Sequence, residues 1–263
     1  MNFDQYQNNG FYFPIKAIPK NKAINLCKEL ETIVTKNKIH KTIIYRNANY
    51  LVPSIYKITK SKNILNCISK LIGNNIYVLE AVIFAKEPKT NDFISWHQDL
   101  TYWGFDSDQV VTAWVSLTES NKDNGCMHFI SGSHKDGIVA HKKTYKKNNM
   151  LSRGQVIKEN IDESKSVIVK LNQGEMSLHN GKLFHSSGKN QSNIRRIGLA
   201  IRYISSDMKH ESGYRIYSHH VSGEKNTDHF ISTQPPKITF STEDLKIVNL
   251  KNNILKKTYN KYI

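Results

Sequence analysis

Cysteine is scarce in this chain. Its three residues, Cys27, Cys67 and Cys126, are scattered, and no C-x-x-C occurs. An odd, dispersed set of thiols excludes a disulfide framework and a zinc knuckle. Free thiols fit a reducing cytosol, so a cytoplasmic location is expected. Long apolar runs are also missing: nothing approaches the roughly 18 residues of a membrane span, and none is expected. The segment Met1-Asn2-Phe3-Asp4-Gln5 lacks a basic stretch followed by an apolar core, so no signal peptide is expected. Acidic residues are few, 22 against 38 Lys and Arg, for a formal charge of +16. Such a balance invites a nucleic-acid reading. The lysines are spread along the chain among many asparagines, however, and no RNP-like aromatic motif or other nucleic-acid module is present. No nucleic-acid partner is expected; the positive field instead favours small anionic substrates. The basic stretch Lys251-Asn252-Asn253-Ile254-Leu255-Lys256-Lys257 reads as a solvated helix face or end.

What is present suits one globular unit. A chain of 263 residues with 38% hydrophobic content can bury a large core. A single domain over 1–263 is expected, with its core at about 5–205 and a C-terminal extension at 206–263. Ala23, Leu26, Cys27, Leu30, Ile33 and Val34 repeat at helical spacing, with Pro19 and Asn21 as start signals. Ile64, Ile68, Leu71 and Ile72 form a shorter stripe ended by Gly73. The rest reads as strands: Ile76 to Lys86, Gln109 to Leu117, Met127 to Ile130, Ser166 to Val169, Gly174 to His179, Lys182 to His185 and Arg196 to Ile204. Lys122-Asp123-Asn124-Gly125 is a turn between two of them. Many short strands with turn punctuation predict a mainly β fold with helices (α+β), a jelly roll.

The chemistry sits in Trp96-His97-Gln98-Asp99 and in Leu183-Phe184-His185-Ser186-Ser187-Gly188. Strand side chains alternate, so His97 and Asp99 share a face. An H-x-D pair with a distant His is the ligand set of the 2-His-1-carboxylate triad, which holds Fe(II) and leaves open positions. Beyond His185 stand Arg195 and Arg196, entering the last strand. An inward arginine could anchor the far carboxylate of 2-oxoglutarate through its planar fork. Adjacent strand residues face opposite ways, so only one of the two can do so.

His97-Gln98-Asp99, Thr112-Ala113-Trp114, Asn124-Gly125-Cys126-Met127, Gly132-Ser133-His134-Lys135 and His185-Ser186-Ser187-Gly188-Lys189-Asn190 together resemble the phytanoyl-CoA dioxygenase family of Fe(II)- and 2-oxoglutarate-dependent oxygenases. The likeness covers about 5–205. It implies a double-stranded β-helix, cupin-like, with helices packed on one sheet. It implies His97, Asp99 and His185 as iron ligands and Arg196, eleven positions beyond His185, as the 2-oxoglutarate arginine. Gln98, Trp114 and Ser187 match positions lining the co-substrate pocket, and Lys86 is one candidate for the family's co-substrate lysine. Trp96 to Lys135 also resembles the aliphatic chlorinating enzymes, which carry Ala or Gly where this chain has Asp99. An intact carboxylate closes the position a halide would take.

The expected activity is O2-dependent hydroxylation of an unactivated C–H in a small molecule, with release of succinate and CO2. Desaturation, cyclisation, demethylation or halogenation would use the same cofactors. A non-catalytic jelly-roll module or a nucleic-acid-binding protein is a distant alternative. Residues 136–165 read as a loop near the mouth, a lid or a plain surface excursion. His210, His219 and His220 read as surface histidines, His179 as a core or supporting residue near the site, and His134 as a hydrogen-bonding turn residue.

Overall fold

A computed structural model describes residues 2–144, 146–151, 155–225 and 227–259. Its helices are α1 (Phe3–Asn9), α2 (Lys20–Lys36), α3 (Lys41–Arg46), α4 (Ala48–Leu51), α5 (Pro53–Thr59), α6 (Lys62–Ile72) and α7 (Thr242–Tyr259). The strands are β1 (Phe11–Lys16), β2 (Ile76–Lys86), β3 (Ile94–His97), β4 (Val110–Ser116), β5 (Met127–Ile130), β6 (His141–Lys143) and β7 (Gln155–Ile157). They continue with β8 (Ser166–Val169), β9 (Glu175–Asn180), β10 (His185–Ser187), β11 (Arg196–Ser205), β12 (Ile216–Ser222) and β13 (Phe230–Ser232). Among the described residues the major sheet runs β1-β9-β4-β11-β2-β12-β13 and the minor sheet β3-β10-β5-β8, while β6 and β7 pair apart. These are the two sheets of a jelly roll.

The centre of the major sheet explains its sequence. Strands β4, β11 and β2 are apolar almost throughout because both of their faces are covered. On the outer face Ala81, Ile83, Ala113, Val115, Leu199 and Ile201 meet Leu26 and Leu30 of α2, Ile44 of α3, Ile55 and Ile58 of α5, and Ile64 and Ile68 of α6. The helices therefore lie on one sheet, as the resemblance implied. Helix α6 ends where Gly73 takes φ 82°, a left-handed conformation that costs glycine little. The alternate residues of the same strands face the space between the sheets, and the site is built there.

Several expectations are corrected. Gly181 and Lys182 form a turn closed by Leu183 N to Asn180 O, Leu183 and Phe184 follow it outside any strand, and the strand starts only at His185. The stretch 136–165 is not a plain loop: it holds β6 and β7, paired from His141↔Ile157 to Lys143↔Gln155. The part of that reading falling on Tyr145 and residues 152–154 lies outside the described residues. The described part of the C-terminal extension is docked on the core. Strand β12 pairs with β2 in the major sheet, and α7 packs on α4 and β12. His219 is buried, with its Nδ1 2.9 Å from Thr233 Oγ1 and its ring 4.4 Å from that of Tyr50. His210 is buried too, whereas His220 is half-buried beside Tyr77. Tertiary pairing of β12 with β2 decides this, and a local pattern cannot show it. His134 does hydrogen-bond, but across to helix α1 rather than within its turn, its Nε2 3.1 Å from Gln7 O.

Burial pushes the His219 imidazole down to about 4, so the fold holds it neutral. In the unfolded chain it titrates near 6.5. The unfolded state therefore binds a proton that the native state refuses, and this stability, whole above pH 6.5, is lost as pH falls toward 4. The loss through this residue should reach roughly 3 kcal/mol. Denaturant melts of wild type and His219→Gln across pH 4–7 measure it: the variant should show a shallower pH slope. An unchanged slope would assign the titration to another group.

Candidate active site

Strand β3 stops at His97, but Gln98 remains extended at φ −117° and ψ 129°. His97 and Asp99 therefore share a side and Gln98 points away. Asp99 itself opens a 3-10 turn, Asp99–Tyr102, rather than lying within the strand as expected. His185 is the direct cross-strand partner of His97, with ring centroids 4.0 Å apart. One ligand-type atom from each of His97, Asp99 and His185 lies within 4.8 Å of the others, and all three residues are buried.

The imidazoles are held in one tautomer. His97 Nδ1 lies 2.9 Å from Ser95 O and His185 Nδ1 2.9 Å from Leu183 O. A carbonyl can only accept, so Nδ1 carries a proton and Nε2 is the nitrogen turned toward the site. Those Nε2 atoms lie 3.6 and 4.0 Å from Asp99 Oδ1. Asp99 Oδ2 accepts from Thr112 Oγ1 at 2.9 Å. Burial opposes ionisation of Asp99, yet Arg202, 3.5 Å from Oδ1, together with His179 and His97 holds its carboxyl well below the usual range. Burial, then His97 and His179, push His185 well down. A carboxylate and a neutral imidazole are the protonation states that a divalent cation needs.

Three adjacent strands line the facing wall in register. Across β4, β11 and β2 the rungs are Thr112–Arg202–Glu80, Trp114–Ala200–Val82 and Ser116–Gly198–Phe84, followed by Arg196 opposite Lys86. Arg196 is buried against Trp114, its guanidinium carbon 5.1 Å from the ring centroid. Its Nε and Nη2 have no hydrogen-bond partner among the described residues. Burial lowers its pKa only to about 10, so it stays cationic. Arg195 faces the other way, to Glu87 at 2.9 Å and Tyr45 OH at 3.0 Å. A cavity of about 800 Å³ runs from Arg196 past the triad to α3 and α7.

Comparison with known proteins decides the family at this point. The phytanoyl-CoA dioxygenase family model matches residues 28–198. The chain belongs to that family. A probable alpha-ketoglutarate-dependent hypophosphite dioxygenase of Stutzerimonas stutzeri is 28% identical over 191 residues, 70% of this chain and 66% of that relative. Such matches span about two thirds of the relatives' own length. Among solved structures, the apo non-heme monooxygenase ThoJ superposes with a TM-score of 0.88 at 24% identity, covering 98% of this chain and 97% of that one. CytC3 with Fe(II) and alpha-ketoglutarate gives 0.67 at 16%, covering 90% and 93%. At these identities the structures show the shared fold.

The other residues carried over by resemblance divide. Trp114 and Ser187 line the cavity. Gln98 does not. Its amide donates to Gly137 O and Lys182 O, and its Oε1 accepts from Val139 N, so the residue ties two loops together behind the site. Alternation in an extended segment forces this, because sharing a face with neither His97 nor Asp99 leaves only the far side. Lys86 is buried beside Arg196 and donates to Ser187 Oγ at 2.7 Å and to Gly188 O. Burial, then the neighbouring Arg196, push its pKa down to about 6, leaving one cation where two side chains could carry charge. His179 lies on the cavity wall, its Nε2 3.8 Å from Asp99 Oδ2. Arg202, Thr112 and Glu80 were not foreseen, yet Arg202 had a signal: it stands an even number of residues from Arg196 on one strand. Lys251 was expected in a solvated stretch; it is buried at 3% exposure and lines the cavity.

Gly198 lies beneath the Trp114 indole, and a Cβ there would overlap the ring. Gly198→Ala should cost roughly 1–3 kcal/mol by overpacking and tilt Trp114 away from Arg196. Thermal melts and Trp114 fluorescence measure both; a variant as stable as wild type with an unshifted spectrum contradicts the packing role.

Proposed function

We propose that this chain is an Fe(II)- and 2-oxoglutarate-dependent oxygenase that hydroxylates a C–H bond of a small, anionic molecule. The observation carrying this reading is one cavity with two poles: the His97–Asp99–His185 cluster, and the buried Arg196 whose guanidinium retains unpartnered nitrogens. The donor set of two imidazoles and one carboxylate on one side suits Fe(II). When bound, Fe(II), 2-oxoglutarate and O2 supply the oxidising chemistry, with succinate and CO2 as co-products.

The chain's own residues prepare for it. Ser95 and Leu183 carbonyls fix the ligand histidines, and Thr112 holds Asp99 Oδ2 so that Oδ1 faces both imidazoles. Arg196, braced by Trp114 and with Ser187 and Lys86 beside it, would pair with the distal carboxylate of 2-oxoglutarate. Burial of both poles excludes water. Asp99 occupies a position that a halide would need, which supports hydroxylation over halogenation. The cavity volume suits a small molecule. One catalytic unit over the whole chain is part of this reading, since α7 from the C-terminal segment lines the cavity. No helix is long and apolar enough to cross a membrane among the described residues. The free thiols of Cys27, Cys67 and Cys126 favour the cytoplasm.

His97→Ala and His185→Ala should each lose tight Fe(II) binding in an anaerobic titration while keeping the wild-type far-UV spectrum. Full iron occupancy in both would end the assignment. Arg196→Ala should raise the 2-oxoglutarate concentration needed for half-maximal succinate release at least tenfold, since a lost buried charged pair costs about 2–5 kcal/mol. Arg195→Ala should stay within roughly threefold, its partners being half-exposed. Reversed effects would mean that the other arginine is the anchor.

A further inference from the structure

We propose that the α3–α7 end of the cavity is a subsite for the anionic group of the substrate, with Lys251 and Arg202 as its binding residues. This rests on the oxygenase reading and adds to it where the substrate's charge goes.

Helix α7 leaves Lys246, Lys256 and Lys257 exposed but buries Lys251. Lys251 Nζ donates to Asn47 Oδ1 at 2.9 Å and lies 3.9 Å from Glu80 Oε2. Glu80 is already engaged by Arg202, whose Nη1 is 3.3 Å from Oε1. The same guanidinium reaches Asp99 Oδ1 at 3.5 Å. A continuous line of charges, Asp99–Arg202–Glu80–Lys251, thus leads from the metal ligands to the helix. Burying an ammonium is costly unless opposite charge compensates it. Here the compensation is shared and incomplete.

The charge balance points one way. Among the described residues, those lining the cavity include the cations Arg46, Arg196, Arg202, Lys251 and Lys256 but only two carboxylates, Asp99 and Glu80. In the loaded enzyme Asp99 faces the metal and Arg196 the co-substrate. Arg202 then shares Asp99 and Glu80, and Lys251 has Glu80 as its nearest carboxylate, with Arg46 and Lys256 at the rim. A walled cavity with that excess concentrates anions. Arg202 lies six residues from Arg196 on β11, roughly 20 Å at strand rise, so this subsite and the co-substrate anchor are at opposite ends. Because Arg202 touches Asp99, the anionic group binds close to the metal, as in a small carboxylate or phosphate ester.

Calorimetry on the full-length protein, loaded anaerobically with Fe(II) and saturated with 2-oxoglutarate, tests this with matched probes: propionate against propionamide and benzoate against benzamide. Each carboxylate should bind at least fivefold tighter than its amide, and Lys251→Met should abolish that preference. Glu80→Gln separates binding from structure. If Lys251 serves only to fasten α7 through Glu80, this variant melts lower and gains no affinity; if the subsite is real, carboxylates bind at least threefold tighter once their internal competitor is gone. Equal affinity for acid and amide, an unaltered preference in Lys251→Met, or no gain in Glu80→Gln overturns the proposal. The visible charge-transfer absorption of iron-bound 2-oxoglutarate, followed in the same samples, reports the oxygenase reading separately. Its presence without an anion preference sinks the subsite alone, and its absence sinks the oxygenase reading.

Discussion

Asp99 is a carboxylate almost wholly withdrawn from the protein surface, and the rest of the site is arranged around making that tolerable. An isolated buried carboxylate would protonate; this one is met by Arg202 on one oxygen, by Thr112 on the other, and by three imidazoles around it. The same contacts fix which oxygen faces His97 and His185. Charge compensation and ligand geometry are therefore one arrangement. They also set where Arg202 must sit, and through Arg202 the position of Glu80 and the inward turn of Lys251.

Strand alternation converts that local problem into a cavity. Three neighbouring strands, β4, β11 and β2, present one face to the helices as an apolar layer and the other to the cavity as rungs. Each rung pairs a functional group with the room it needs. Gly198 lies where Trp114 requires space, and Trp114 in turn backs Arg196. Lys86 stands opposite Arg196, and the desolvated lysine gives up its proton more readily than the guanidinium does. A sheet covered on both sides must be apolar on average, so its few polar residues stand out as the site.

The C-terminal segment completes the enclosure. Strand β12 extends the major sheet beyond β2, His219 fills the space beside Tyr50, and α7 closes over α4 with Lys251 beneath. The family match ends at residue 198, before all of these elements.

Much of this was legible in the chain itself. The H-x-D spacing, the apolar run of β2, and the adjacency of Arg195 and Arg196 are short-range facts, and short-range periodicity determines which side chains share a face. Strand β2 was read to its exact ends for that reason, and the opposite facing of the two arginines follows from the same period. The same period puts Gln98 on the far side, yet family position had placed it in the co-substrate pocket, and the structure overturns that expectation. What the sequence could not decide were pairings between distant segments. Whether Lys251 meets water or Glu80, whether His219 is a surface residue or lies under Tyr50, and which residue faces His185 across β3 depend on strand order and helix docking. A helix with lysines all along it offers no local sign of which one points inward. That choice is made by the charge waiting on β2, and only the tertiary structure brings the two together.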